Sequence, residues 1–118
     1  MHEFAFAEQI YQRVLSEVDK HPGYRVSRIK LRAAQALALE PASLRFCLEA
    51  ITVGTVMEGV ELDMDETGPE MECPNCGRVT IDSILDTVCP VCGSLGSLSR
   101  STELIIEEIE LSEQENQT

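Results

Sequence analysis

Basic side chains are scarce in this sequence. Its 118 residues include 9 Lys and Arg against 21 Asp and Glu, which gives a formal net charge of −12. Residues 55–118 hold only 2 of the basic but 15 of the acidic side chains, so this half of the chain should repel phosphate groups. Affinity for nucleic acids comes largely from Lys and Arg contacts to phosphate, so the balance argues against nucleic-acid binding. The same balance argues against binding to an anionic membrane surface.

Long apolar runs and a secretion signal are also missing. No run approaches the roughly 20 apolar residues of a transmembrane helix, and Glu3 stands where a signal peptide carries basic residues. We therefore expect a cytoplasmic protein. The length leaves room for one domain or two small ones and excludes a multi-domain enzyme. Five cysteines in a reducing compartment indicate metal binding rather than a disulfide framework.

Hydrophobic periodicity predicts the elements outside the cysteine-rich region. Apolar residues recur at helical spacing in two segments, 3–19 and 41–54, and alternate with polar residues in two, 29–33 and 60–65. Residues 103–111 return to Leu, Ile and Glu, which predicts a third strand. The expected order is helix, strand, helix, strand, insert, strand. This order predicts an α+β fold with a small three-stranded sheet and two helices, formed by residues 1–68 and 99–118, and an inserted domain at residues 69–98.

Charged residues on two of the predicted strands are expected to face each other. The first strand presents a basic set and the second an acidic set, namely Arg28, Lys30 and Arg32 against Glu61, Asp63 and Asp65. We interpret them as cross-strand ion pairs rather than as a basic docking patch. On an exposed face each pair would contribute only ~0.2–1 kcal/mol.

The insert contains one pattern twice, C-P-x-C-G, at residues 73–77 and 89–93. A C-x-x-C turn brings two sulfurs to one side of a tight loop, and two facing turns complete the shell of a tetrahedral ion. The glycine after each second cysteine accepts a left-handed backbone. The repeat predicts a zinc-ribbon-like domain with zinc ligands at Cys73, Cys76, Cys89 and Cys92. Four protein ligands leave no open position, so this zinc would be structural rather than catalytic.

Other interpretations of the cysteines are weaker. Iron also accepts four thiolates, but no aromatic residue lies between Cys73 and Cys92 to enclose a rubredoxin-like site. Disulfides or free thiols are least favoured without a secretion signal. Cys47 lies on the apolar face of the second predicted helix and is interpreted as a buried core thiol. No catalytic residue is predicted, and we expect a protein that is not an enzyme.

The sequence begins Met1-His2-Glu3, and a histidine at such a position is usually only solvated. Yet the α-amine, the backbone nitrogens of residues 2 and 3 and an imidazole nitrogen can lie in one plane. Four planar nitrogens suit Ni(II) or Cu(II). His2 is therefore a candidate ligand of a second, open metal site. His21 has the simpler interpretation of a residue at a helix C-terminus.

Further motifs, taken with the cysteine pairs, point to a known family. They are Met1-His2-Glu3, Glu40-Pro41-x-Ser43-Leu44-Arg45-Phe46, Gly54-Thr55, and Glu103-Leu104 leading into Ile109-Glu110. With both C-P-x-C-G repeats they extend over nearly the whole chain. The sequence resembles the hydrogenase nickel-insertion metallochaperones of the HypA/HybF type.

The resemblance implies a nickel-binding α/β domain with a structural zinc domain, and delivery of Ni(II) during [NiFe]-hydrogenase maturation. His2 matches the family's nickel ligand, Glu3 the residue beside it, acting through its backbone, and the four repeat cysteines match the zinc ligands. The implied partners are the nickel-handling maturation GTPase and the hydrogenase large-subunit precursor, and a homodimer is compatible with it. The chain departs from the family at Ala33-Ala34 and Ser101-Thr102, where the family commonly has glycine.

Two other functions stay open on the sequence alone. One is a zinc-ribbon adaptor whose N-terminus has no role, and the other is an iron-containing redox carrier. Nickel binding that depends on His2 would distinguish the metallochaperone from the adaptor. Colour would distinguish the redox carrier, because a four-sulfur iron protein is red and a zinc protein is colourless.

Overall fold

The computed structural model of the protein describes residues 2–114. In that range the chain forms two α-helices, six β-strands and a short 3₁₀ turn. They follow in the order α1 (Glu3–Val18), β1 (Tyr24–Ala34), the turn (Gln35–Leu37), α2 (Pro41–Thr52), β2 (Glu61–Thr67), β3 (Glu70–Cys73), β4 (Gly77–Thr80), β5 (Ser97–Leu98) and β6 (Leu104–Glu113). The strands make two three-stranded sheets, β2-β1-β6 and β4-β3-β5. The predicted α+β class, with two helices and a three-stranded sheet, is confirmed.

Helix α1 buries one face, and α2 packs against it. The buried residues recur at three- and four-residue spacing, as the sequence predicted, and are Ala7, Ile10, Val14 and Val18. Gly23 lies between the end of α1 and the start of β1, and its φ of 88° lies in the left-handed region that favours glycine. Neither helix of the described residues has the length and apolar character needed to cross a membrane.

Helix α2 begins at a capped N-terminus. The Glu40 side chain accepts a hydrogen bond from the Ala42 backbone N–H at 3.1 Å, and Pro41 occupies the first turn, where its missing N–H costs nothing. The buried face of α2 is formed by Leu44, Leu48 and Thr52. Cys47 lies beside this face and is half-buried. The prediction of a buried core thiol was therefore wrong.

The first sheet has β1 between β2 and β6. Val26, Ile29 and Leu31 of β1 are fully buried. Charged residues of β1 form cross-strand ion pairs, which are Arg28–Asp63, Arg28–Glu110 at 3.4 Å and Arg32–Glu107 at 2.9 Å. The predicted pairing with β2 is confirmed for Arg28, but Arg32 pairs with β6 instead. All of these side chains are partly exposed, so each pair adds only about 0–1 kcal/mol.

Two compact units can be distinguished in the chain. The first comprises residues 2–32, 39–65 and 104–114 of the described range, and the second comprises residues 33–38 and 66–103. The second unit is larger than the segment 69–98 because hydrogen bonds attach its flanks. Ser99 N–H donates to Glu70 O at 2.8 Å, and Ala34 N–H donates to Glu103 O at 2.9 Å.

The second unit is organised around β3. This strand pairs antiparallel with β4, from Glu70↔Thr80 to Cys73↔Gly77, and with β5 at Met71↔Leu98. The buried cluster of the unit consists of Met71, Cys73, Ile81 and Cys89, with Val79 packed against it. Two of its four buried residues are cysteines, so the unit has very little apolar core apart from them.

Gly96 lies so close to β3 that a side chain has no room. A Cβ on residue 96 would overlap the Glu72 carbonyl oxygen and lie 2.5 Å from Met71 Cε. We expect Gly96→Ala to reduce the free energy of unfolding of this unit by about 1–3 kcal/mol, as overpacking does. Urea unfolding followed by the amide NMR signals of β3 and β5 measures the change.

Gly68→Ala is the matched control in the same unit, because a Cβ there meets nothing within 4 Å. This variant should be neutral or slightly stabilising, since it reduces the conformational freedom of the unfolded chain. Equal effects of the two substitutions would show that close packing at Gly96 is not what the position requires.

Candidate metal centre

Each C-P-x-C-G repeat forms a tight turn, which we call a knuckle. The first knuckle (residues 73–77) closes the β3–β4 hairpin, and the second (residues 89–93) is closed by the Gly93 N–H donating to Cys89 O at 2.9 Å. Gly77 and Gly93 take φ values of 82° and 77°. Only glycine adopts such a backbone without strain, which explains its place after each second cysteine.

The knuckles bring four thiols together. The Sγ atoms of Cys73, Cys76, Cys89 and Cys92 all lie within 4.8 Å of one another, and Cys73 Sγ is 3.5 Å from Cys92 Sγ. Tetrahedral zinc with Zn–S bonds of about 2.3 Å needs sulfurs about 3.8 Å apart, so the cluster fits this ion. All five cysteines are free, and the disulfide interpretation is therefore wrong.

The surroundings of the cluster favour zinc over iron. Cys73 and Cys89 are buried, whereas Cys76 and Cys92 are exposed. The buried cluster around them contains no aromatic residue among the described residues of this unit. A rubredoxin-like iron carrier would require an enclosing apolar shell, and the arrangement instead fits a structural zinc site with four protein ligands and no open position.

The thiols differ strongly in their affinity for protons. Hydrogen bonds from the Ser94 hydroxyl and amide lower the pKa of Cys92 to about 6. The neighbouring Cys92 sulfur raises the pKa of Cys76 to about 12, because a second thiolate beside the first is disfavoured. A divalent cation removes this conflict by stabilising all four thiolates at once. Metal binding to the cluster is therefore coupled to loss of protons.

The predicted nickel ligands lie at the start of α1. His2 is the N-cap residue, its side chain is 51% exposed, and its ring makes an edge-to-face contact with Phe6 at a centroid distance of 5.8 Å. Its carbonyl accepts from the Phe6 N–H at 3.2 Å. Met1, which would supply the α-amine, lies outside the described residues.

The Glu3 carboxylate has a role that the sequence did not indicate. Glu3 is buried, and its Oε2 accepts a hydrogen bond from the backbone N–H of Glu40 at 3.2 Å, which connects the start of α1 with the start of α2. This hydrogen bond is the main reason that the pKa of Glu3 is lowered. His2 Nε2 is 4.0 Å from the same oxygen. The position of Glu3 in the first turn, where an anion is favoured, was the only sequence signal.

We expect Glu3→Gln to destabilise the first unit in a pH-dependent way. The pKa of Glu3 is lower in the folded chain, so its carboxylate stabilises the fold above the unfolded pKa. That contribution is lost as the pH falls through the folded pKa. The difference in thermal midpoint between the two proteins, measured from α1 and α2 signals, should be largest near neutrality and vanish in acid.

Glu8→Gln on the exposed side of α1 is the control for this effect, because it removes the same charge from the same helix. Its thermal midpoint should differ little from that of the unaltered protein at any pH. A constant deficit for Glu3→Gln from neutral to acidic pH would contradict the role assigned to the carboxylate.

The fold and the cluster define a class of protein. The chain combines a helix-and-sheet unit with a second unit built around a four-cysteine centre, which is typical of small metal-binding proteins rather than of enzymes with an open catalytic metal. Residues 1–111 match the family model described as hydrogenase/urease nickel incorporation, metallochaperone, hypA. The chain belongs to this family.

Individual relatives agree with this assignment. The chain is 35% identical to the hydrogenase maturation factor HypA of Methylocella silvestris, over 94% of this chain and 99% of that protein. It is 34% identical to the factor of the same name from Chlorobium limicola, over 96% of this chain and 98% of that protein. The solution structure of the Ni metallochaperone HypA from Helicobacter pylori superposes with a TM-score of 0.68 over 97% of this chain and 100% of that one. Its sequence identity is 17%, so this likeness concerns the fold alone.

Proposed function

We propose that this chain is a nickel metallochaperone that supplies Ni(II) during maturation of [NiFe]-hydrogenase. The observation that carries the proposal is the family match over residues 1–111, which includes the N-terminal residues and both knuckles. Relatives that match this chain over nearly their whole length bear the name hydrogenase maturation factor. Nickel is the cargo in this proposal, and zinc is the resident ion.

Zinc is proposed to be held by Cys73, Cys76, Cys89 and Cys92. The support is the mutual distance of their sulfurs, all within 4.8 Å, and the small apolar core of the second unit. A bound zinc cross-links the two knuckles and supplies the folding free energy that the core lacks. The thiolates fill the coordination shell, so the centre has no position for a substrate.

Nickel is proposed to bind at the N-terminus, through His2 and the backbone nitrogen of Glu3 together with the α-amine. The His2 imidazole is half exposed, so Ni(II) can reach it from solvent. Four nitrogens in a plane are a good donor set for Ni(II). A chain end can open at little cost, which suits an ion that must be passed on.

The remaining parts of the proposal follow from this cargo role. A protein that binds and releases an ion needs no catalytic residue, and we propose that the chain is not an enzyme. The partners would be the nickel-handling maturation GTPase and the hydrogenase large-subunit precursor, met in the cytoplasm. The strongly acidic chain would meet them through complementary basic surfaces.

Complementation in the source organism tests the proposal. In a strain without the native gene, the unaltered chain should restore hydrogenase activity at limiting nickel, whereas His2→Ala should not. Excess nickel should bypass the defect, since nickel supply is the missing step. Urease activity, where the organism has it, shows whether delivery extends to a second enzyme. Full restoration by His2→Ala at limiting nickel would favour the zinc-ribbon adaptor.

A further inference from the structure

The two knuckles differ in the residue between the cysteines. It is Asn75 in the first knuckle and Val91 in the second. Asn75 Nδ2 donates to Ser94 Oγ at 2.9 Å, in the residue that follows the second knuckle, and lies 3.9 Å from Cys92 Sγ within it. Val91 is 74% exposed to solvent and serves as the natural comparison.

Ser94 connects Asn75 to the metal ligand. A hydroxyl has one hydrogen to donate and two lone pairs that accept. Because the Ser94 oxygen accepts from Asn75 Nδ2, it holds that amide 3.9 Å from the Cys92 sulfur, and its own hydrogen stays available to Cys92, two residues earlier in the chain. The Cys92 sulfur thus faces a donor from the opposite knuckle, and Ser94 holds that donor in place.

We propose that Asn75 and Ser94 act as an outer-shell pair that positions Cys92 and makes it the least nucleophilic of the exposed thiolates in the metal centre. The inference rests on the proposed zinc site and goes beyond it. Hydrogen bonds to a metal-bound thiolate withdraw electron density from the sulfur, and such partners hold the ligand in its orientation. Cys92 and Cys76 are both exposed to solvent, where alkylating reagents and competing ions arrive.

Such protection has a purpose in a protein that carries a second metal. Ni(II) binds thiolates, and a zinc centre with reactive exposed sulfurs would exchange its ion for the cargo. A donor pair on Cys92 slows the opening of the zinc shell at that ligand. Asn75 and Ser94 also connect residues 19 positions apart, so they hold the two knuckles in one arrangement.

Site-resolved alkylation of the zinc-loaded full chain tests the pair. Iodoacetamide is applied under single-hit conditions, and mass spectrometry gives the initial rates at Cys92 and Cys76 separately. We expect Asn75→Ala and Ser94→Ala each to raise the alkylation rate of Cys92, relative to that of Cys76, by roughly 10-fold. The rate of zinc transfer to a chelator should rise by a similar factor. The double variant should resemble the single ones, because the two residues form one relay. Ser94→Thr, which keeps the hydroxyl, should retain most of the protection.

Two further variants distinguish loss of the Asn75 donor from a general loosening of the folded loop. Asn75→Asp has the same shape but replaces the donor with an anion, so it should accelerate Cys92 at least as much as Asn75→Ala. Val91→Ala changes the equivalent position of the second knuckle and should leave both rates unchanged. Equal acceleration of Cys92 and Cys76 would indicate only a loosened loop and would overturn the proposal, as would equal effects of Asn75→Ala and Val91→Ala. If the unaltered protein bound no zinc, the zinc site itself would be refuted, and the proposed outer-shell pair with it.

Discussion

Replacement of His2 by alanine is expected to abolish stoichiometric Ni(II) binding while zinc content and fold stay unchanged. The imidazole is one of the proposed ligands, and its side chain is half exposed at the start of α1, so its removal leaves no cavity in the core. The loss of affinity should exceed the roughly 10–100-fold that follows removal of an outer-shell partner. Equilibrium dialysis with metal analysis measures the stoichiometry, on protein with an authentic Met1 and no N-terminal tag.

The chain offers a matched control in its other histidine. His21 follows the end of α1 and is exposed, so His21→Ala removes an imidazole without touching the first residues. Its nickel binding should equal that of the unaltered protein. An extension of a few residues before Met1 should act like His2→Ala, because it converts the α-amine into an amide. Stoichiometric nickel binding by both the His2→Ala protein and the extended protein would rule out the N-terminal site.

Cys73→Ala should release the zinc and melt the second unit, residues 33–38 and 66–103, while the first unit stays folded. Cys73 is buried beside Met71 at the end of β3, so the substitution removes both a metal ligand and part of a very small core. Structural zinc contributes about 10–16 kcal/mol of binding free energy in zinc-finger peptides, more than such a unit can replace. Metal analysis and amide NMR spectra report the two effects separately.

Cys47→Ala is the control for this variant, since Cys47 is the one cysteine outside the cluster and is only half-buried. It should keep its zinc and the full set of amide signals. A Cys73→Ala protein that retains one tetrahedral zinc and an unchanged spectrum of β3 and β4 would contradict the dependence of this unit on metal.

The elements that sequence reasoning located have strong periodic patterns. The helical spacing of Ile10, Val14 and Val18 predicted α1, and the return to Leu, Ile and Glu at residues 103–111 predicted a strand close to the actual bounds of β6. Strands β3, β4 and β5 were missed because they have four, four and two residues, too few for a pattern to develop. Their pairing depends on contacts such as Met71↔Leu98, which no local signal encodes.

The candidate site divides in the same way. The spacing of the cysteines predicted the four-sulfur cluster because both halves of it are local turns. The contact of Glu3 with the Glu40 backbone and that of Asn75 with Ser94 join residues 37 and 19 positions apart. Such contacts depend on how helices and hairpins meet, and the residue types involved are common at exposed positions. Arg32 was paired with the wrong strand for the same reason.

Nickel K-edge X-ray absorption on zinc-loaded protein, with one equivalent of Ni(II) added to an authentic N-terminus, tests the central claim most directly. The account predicts a planar shell of nitrogen ligands around nickel with no sulfur, and the loss of this spectrum in His2→Ala. The zinc edge should show four sulfurs before and after nickel is added. Sulfur neighbours around nickel, with zinc released into solution, would place the cargo in the cysteine cluster and contradict the account.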